Sequence, residues 1–130
     1  MLAIAAALSS LVAPAAAHHA ITSIYDSGNP ITIDAVVVEF QFVNPHPFVV
    51  VETNDGNGRR QWRLDMDNRY ELVDVGMSAD TLKKGDRVVA RGGPARDRSL
   101  RIYVRRLERP ADGFWYEQAG SSPRIGSPRR

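Results

Sequence analysis

The sequence contains no cysteine and only three histidines. The absence of cysteine excludes disulfides, thiolate metal sites, cysteine nucleophiles and a lipid-bearing cysteine at an export cleavage site. Common catalytic motifs are missing as well: there is no Gly-x-Ser-x-Gly elbow, phosphate loop, dinucleotide fingerprint or zinc-protease motif. The missing catalytic motifs favour a binding protein over an enzyme. Without disulfides, the fold must be stabilised by its hydrophobic core.

A strong excess of one charge is also absent. The chain has 17 Lys and Arg residues against 15 Asp and Glu residues, a formal net charge of +2. Dedicated nucleic-acid binders usually carry a larger positive excess, so a nucleic-acid partner is disfavoured. No apolar run approaches the ~20 residues that a membrane-spanning helix needs.

The first 17 residues have the features of an export signal. They carry no charged side chain, and the apolar run over residues 2–12 is followed by Pro14 and by the small residues Ala15, Ala16 and Ala17. We therefore predict a signal peptide over residues 1–17 and cleavage after Ala17. The mature protein is then periplasmic or secreted, has no stable membrane span and is about the size of one domain.

Alternating apolar residues predict five strands. In the first, over residues 31–43, the apolar residues change from odd to even positions across residues 35–38, which predicts a bulge. In the third, Trp62, Leu64 and Met66 are predicted to point inward. The other strands are predicted over residues 48–53, 61–66, 87–91 and 100–107.

The periodicity changes between the third and fourth predicted strands. A short helix is predicted over residues 68–75, with Gly76 as its stop, and a second over residues 78–84. Three strands, a helical connector and two strands form the order of a small OB-like five-stranded barrel, a mainly β fold. A mixed α+β roll is the alternative. We assign the barrel to residues 18–110.

Residues 111–130 are predicted to form a C-terminal tail that is largely disordered. Beyond Ala119 the tail is rich in Gly, Ser, Pro and Arg, and its one aliphatic residue is Ile125. Such a segment has too little apolar surface to offset the entropy of ordering. The aromatic cluster of Phe114, Trp115 and Tyr116 either folds back onto the barrel or marks a contact site.

The three histidines suggest a copper or zinc site. Cleavage after Ala17 would leave His18 and His19 beside a free α-amine, a nitrogen donor set that suits copper(II). His46 lies between Pro45 and Pro47, which stiffen its loop. We therefore predict a copper(II) site formed by His18, His19 and His46. The alternative is two solvated histidines at a frayed terminus and a plain turn at His46.

A basic and aromatic barrel face offers a second kind of site, for an acidic glycan or a peptide. The outward positions of the predicted strands carry Arg63, Arg91, Arg101 and Arg105, close to Tyr103. The predicted ligand face comprises Phe40, Trp62, Arg63, Arg101 and Tyr103.

A redox enzyme with a histidine-bound copper is a third class of function. Asp65 and Asp67 share one strand face and are predicted to be solvated.

Several short motifs follow one another along the chain in an order that is typical of one family. They are Ala17-His18-His19, Tyr25-Asp26, Asn29-Pro30-Ile31-Thr32, Val38-Glu39-Phe40, Asn44-Pro45-His46, Leu82-Lys83-Lys84-Gly85-Asp86 and Arg96-Asp97. Their order resembles a large family of small exported bacterial proteins known only as a domain of unknown function. The resemblance implies an exported, β-rich domain and no particular activity. The chain departs from the pattern at Ala35, where glycine is frequent, and in its longer arginine-rich tail.

Overall fold

A computed structural model describes residues 15–120 and 122–128, with side chains from residue 20 onward. Most of the predicted signal peptide lies outside this part, and the expected cleavage site falls within the first helix. No helix in the described part is long and apolar enough to cross a bilayer. The elements are α1 (Ala15–Ile24), β1 (Ile31–Gln41), β2 (Phe48–Asn54), β3 (Arg59–Asp65), α2 (Arg69–Asp74), β4 (Arg87–Pro94), β5 (Arg101–Arg109), β6 (Phe114–Ala119) and β7 (Ser122–Gly126).

Strands β1 to β5 form a closed barrel. Neighbouring strands run in the order β3-β2-β1-β4-β5, all antiparallel, and a parallel pairing of β3 with β5 closes the ring. The short helix α2 lies between β3 and β4. The prediction of a mainly β, OB-like barrel with a helical connector at this position is therefore confirmed.

The bend in β1 lets one strand serve two sides of the barrel. Its first half pairs with β4 and its second half with β2. The β1–β2 register shifts between Val37 and Glu39, which confirms the bulge that the change in apolar phase predicts. Inward side chains fill the barrel, each contributing ~1.5–3 kcal/mol relative to exposure. The fully buried ones include Val49, Val51, Leu64, Val88, Ile102, Val104 and Leu107.

The connector contains one helix rather than two. Asn68 caps α2 by accepting a 2.9 Å hydrogen bond from the Glu71 N–H and donating one of 2.7 Å to the Glu71 carboxylate. The helix predicted over residues 78–84 is wrong, because this segment forms turns. Side chains capture its backbone donors: the Ser78 N–H bonds to Thr81 Oγ1 and the Lys83 N–H to Asp86 Oδ2.

The C-terminal segment is ordered over most of its length, so the prediction of a largely disordered tail is wrong. Strand β6 pairs with β5, and β7 returns along β6. Phe114 and Tyr116 are buried and Ile125 packs against the core. Of the two alternatives for the aromatic cluster, folding back onto the barrel is therefore correct. Backbone pairing with β5 supplies the stabilisation that composition alone does not reveal.

Candidate functional site

Two aspartates at the end of β3 are buried. Asp65 is 7% exposed and Asp67 is 5% exposed. The prediction that both carboxylates are solvated is wrong, because partners from distant parts of the chain cover this face of the barrel. A buried carboxylate requires hydrogen-bond donors or a cation nearby, and both aspartates have them.

Asp67 is held by two phenols. The Tyr103 hydroxyl donates to Oδ1 and the Tyr116 hydroxyl donates to Oδ2, each at 2.5 Å. Burial raises the pKa of both tyrosines far above the ordinary value, and the charge of Asp67 adds to the effect. Both phenols therefore remain protonated donors at all moderately alkaline pH values.

Asp65 fixes two guanidinium groups. Arg63 Nε donates to Oδ1 at 2.7 Å, and Arg101 donates to Oδ2 at 3.2 Å. The Tyr25 hydroxyl also donates to Oδ2, at 2.6 Å, and it accepts a 2.8 Å bond from Arg101. Burial, and then the bond to Asp65, raise the pKa of Tyr25 well above its usual range. We call Arg63 and Arg101 the tethered arginines.

The tethered arginines remain partly exposed on the outer face of β3 and β5, where Arg63 and Arg101 are in register. The Arg63 guanidinium lies 3.7 Å from the centroid of the Phe48 ring, a cation–π contact. Asp65 occupies only some of the N–H groups of each arginine. The remaining donors are held in fixed directions and can meet a ligand carboxylate.

Two loops flank this face. The β1–β2 loop (residues 42–47) carries the exposed His46, and its Pro47 carbonyl accepts a 3.1 Å bond from the Met66 N–H. In the β4–β5 loop (residues 95–100), the Leu100 carbonyl accepts a 2.9 Å bond from the Arg63 N–H. The two loops thus bond to the N–H groups of Arg63 and Met66. These groups are three residues apart, or about 10 Å along an extended chain.

The N-terminal segment is tied to the β4–β5 loop. Arg96 donates from its backbone N–H to the Ile24 carbonyl at 2.9 Å and from Nε to the Thr22 carbonyl at 3.0 Å. His18 and His19 lie in α1, upstream of these contacts, and their side chains fall outside the described part. The described residues contain no cluster of three or more histidine, aspartate or glutamate side chains able to hold a metal. The side chains of His18 and His19 are not among these described residues.

The predicted ligand face is not one surface. Tyr103, predicted to face outward, is only 9% exposed because Tyr25 lies over it, with 5.8 Å between ring centroids. Phe40 and Trp62 are partly buried against the core. Trp62 and Arg63 are sequential on β3 and point to opposite faces. Only Arg63 and Arg101 are brought together.

The predicted basic set likewise divides into two pairs. Arg63 and Arg101 bind Asp65, whereas Arg91 and Arg105 are exposed and make no ion pair with the described residues. Tyr25 and Tyr103 lie between the pairs. The outer face of β5 therefore presents two separate cationic regions.

Comparison with known proteins supplies a family but no activity. The model of a family of unknown function, DUF6152, matches residues 6–101, well over half of the chain. Searches of curated proteins and of solved structures give no significant match. The matched span includes the N-terminal segment, Asp65, Asp67 and both flanking loops. The chain belongs to DUF6152, a family of unknown function.

Proposed function

We propose that the protein is an exported, non-enzymatic binding protein that holds one copper(II) ion through His18 and His19, with His46 as a further ligand. The observation that supports this proposal most directly is the attachment of the N-terminal segment to the β4–β5 loop through Arg96. A frayed terminus loses conformational entropy when it binds a metal. A terminus anchored a few residues away loses less, which favours binding.

Export would complete the donor set. Cleavage after Ala17 frees the α-amine of His18, and copper(II) prefers such nitrogen donors in tetragonal geometry. The amine and the imidazoles must be deprotonated to bind, so acid should release the metal. His46 is exposed on a loop whose ends are fixed by Pro47 and by a 2.9 Å bond from the Arg69 N–H to the Pro45 carbonyl.

Calorimetric titration of untagged mature protein tests the copper proposal. We expect one copper(II) per chain, bound more tightly than zinc(II). His18→Ala and His19→Ala should each weaken binding, and His46→Ala should weaken it less. The variant lacking all three histidines sets the background. Copper stoichiometry and affinity that survive in this variant would refute the proposal.

The tethered arginines favour a second candidate, an acidic glycan or peptide bound on the outer face of β3 and β5. OB-like barrels bind ligands on the face of their second and third strands and in the loops that join strands 1 and 2 and strands 4 and 5. Arg63 lies on that face, and Arg101 lies beside it on β5. Guanidinium groups pair with carboxylates through two parallel hydrogen bonds, and those of Arg63 and Arg101 are pre-oriented by Asp65. Phe48 lies beneath the Arg63 guanidinium and helps to fix its orientation through the cation–π contact.

Binding to a polyuronic acid, compared with a neutral glucan, tests this second candidate. Arg63→Gln should weaken retention on the acidic polymer about tenfold, the loss expected for one charged hydrogen-bonded contact. Arg87→Gln is the matched control. It removes the same charge from an exposed position on β4, where Arg87 pairs with Asp34 of β1. Equal losses of retention in both variants would show that only the net charge of the protein matters, and this result would reject the site.

A further inference from the structure

The second arginine pair lies in an unusual position. Arg91 on β4 is in register with Arg106, and the β4–β5 register shifts between Arg91 and Gly92. Arg105 therefore lies beside the bulge, next to Arg91 on the outer face. Like charges side by side on neighbouring strands repel each other. Neither arginine has an ion-pair partner among the described residues, so the repulsion is uncompensated.

Two glycines shape a groove over this pair. A Cβ on Gly92 would lie 2.1 Å from the Tyr103 carbonyl oxygen, and one on Gly93 would lie 2.9 Å from the Asp26 carbonyl oxygen. Glycine at position 93 lets residues 26 and 27 lie directly on β4, and glycine at position 92 lets β5 approach β4 closely at Tyr103. The result is a groove of about 400 Å³. Its lining includes Ser27, Arg91, Arg105 and Gln118.

The acidic residue in the groove wall does not neutralise the pair. Glu117 accepts bonds from Arg106 at 2.8 Å and from Arg124 at 3.0 Å. The hydrogen bond from Arg106 is the main reason that the pKa of Glu117 lies below its usual value. Arg106 bonds Glu108 as well. The charges of Arg91 and Arg105 are therefore available to an external anion.

We propose that this groove binds a phosphate group, with Arg91 and Arg105 contacting its oxygens and the Ser27 hydroxyl donating a further bond. Two adjacent cations and a hydroxyl match an anion with two charges and more than two acceptor oxygens, whereas a carboxylate offers one charge and two oxygens. The group can belong to a free phosphate compound or to a lipid whose headgroup is a phosphate monoester. The site shares no residue with the proposed copper site and does not depend on it.

Titration of the copper-free full chain with inorganic phosphate, at constant ionic strength, tests this proposal. Saturable binding should weaken about tenfold or more in Arg91→Gln and in Arg105→Gln, and by less than about twofold in the control Arg59→Gln. Arg59 is also exposed, and its distance of 3.7 Å from Glu52 makes it a weak ion pair on a distant strand. Because Arg91 and Arg105 are exposed and repel each other, the variants should unfold at the wild-type temperature or slightly above it.

Vesicles distinguish the source of the phosphate group. Binding to phosphatidic acid but not to phosphatidylcholine or free phosphate, lost in Arg91→Gln and Arg105→Gln, would identify a lipid headgroup. Saturable binding of free phosphate would identify a soluble compound. The proposal is wrong if neither probe shows binding that depends on Arg91 and Arg105. It is equally wrong if Arg59→Gln weakens binding as much as the groove variants do.

Discussion

The Tyr116 hydroxyl donates a 2.5 Å hydrogen bond to Asp67, which joins the C-terminal hairpin to the end of β3. Tyr103 donates the second bond from β5. No buried side-chain polar atom in the described part of the chain lacks a hydrogen-bond partner. The buried carboxylate thus connects three strands, and the stability of this region depends on phenols that no local sequence pattern assigns to it.

Removal of one phenol should destabilise the fold measurably. In Tyr116→Phe, Asp67 remains buried with a single donor, so the free energy of unfolding should fall by about 1–3 kcal/mol. Tyr70 is 81% exposed, and Tyr70→Phe should change the value by less than about 0.5 kcal/mol. Urea unfolding measures both variants. Equal effects would show that the Asp67 contact contributes nothing specific.

The same phenols should make the protein sensitive to alkali. The pKa values of Tyr25, Tyr103 and Tyr116 are raised by burial, so the folded chain keeps protons that the unfolded chain loses. Stability should therefore be fully present below the unfolded tyrosine pKa of ~10 and fall as the pH rises above it. Urea unfolding between about pH 8 and pH 11 measures the decline. The free energy of unfolding should fall less steeply with pH in Tyr103→Phe than in the wild type, and equally steeply in Tyr70→Phe. Equal slopes in the two variants would contradict the attribution of the alkaline sensitivity to the buried phenols.

Much of the barrel could be predicted from sequence because buried and exposed positions alternate over most of β1, β2 and β4. The apolar phase change in β1 also located the bulge near Val37. The burial of Asp65 could not be predicted, because an outward position on a barrel strand need not face solvent. Its partners Tyr25 and Arg101 lie 40 and 36 residues away. The hairpin was missed for a related reason: its composition resembles disorder, whereas its order comes from pairing with β5.

The close approach at Gly92 provides a test of backbone packing. A methyl group there would overlap the Tyr103 carbonyl, so Gly92→Ala should lower the free energy of unfolding by about 1–3 kcal/mol. Gly28 is the matched control, since its nearest atom would be Asp26 Oδ1 at 3.5 Å. Thermal unfolding compares the two variants. A Gly92→Ala protein as stable as Gly28→Ala would show that β4 and β5 are not packed as described.

Loss of all three histidines should leave the fold intact. The His46 side chain is exposed, and the described core contains no histidine, so the triple variant His18→Ala, His19→Ala, His46→Ala should keep a cooperative transition. The expected change in free energy of unfolding is below about 1 kcal/mol. A loss above about 2–3 kcal/mol would instead indicate a buried, hydrogen-bonded histidine.

Copper titration of two forms of the mature protein, one with a free N-terminus and one acetylated at His18, tests the proposed function most directly. Acetylation removes the amine that anchors the metal but leaves every side chain in place. We expect the blocked form to bind copper(II) more weakly than the free form, and by a larger factor than the factor caused by His46→Ala. Equal copper affinity in the free and blocked forms would contradict the N-terminal site and leave the tethered arginines as the better-supported binding surface.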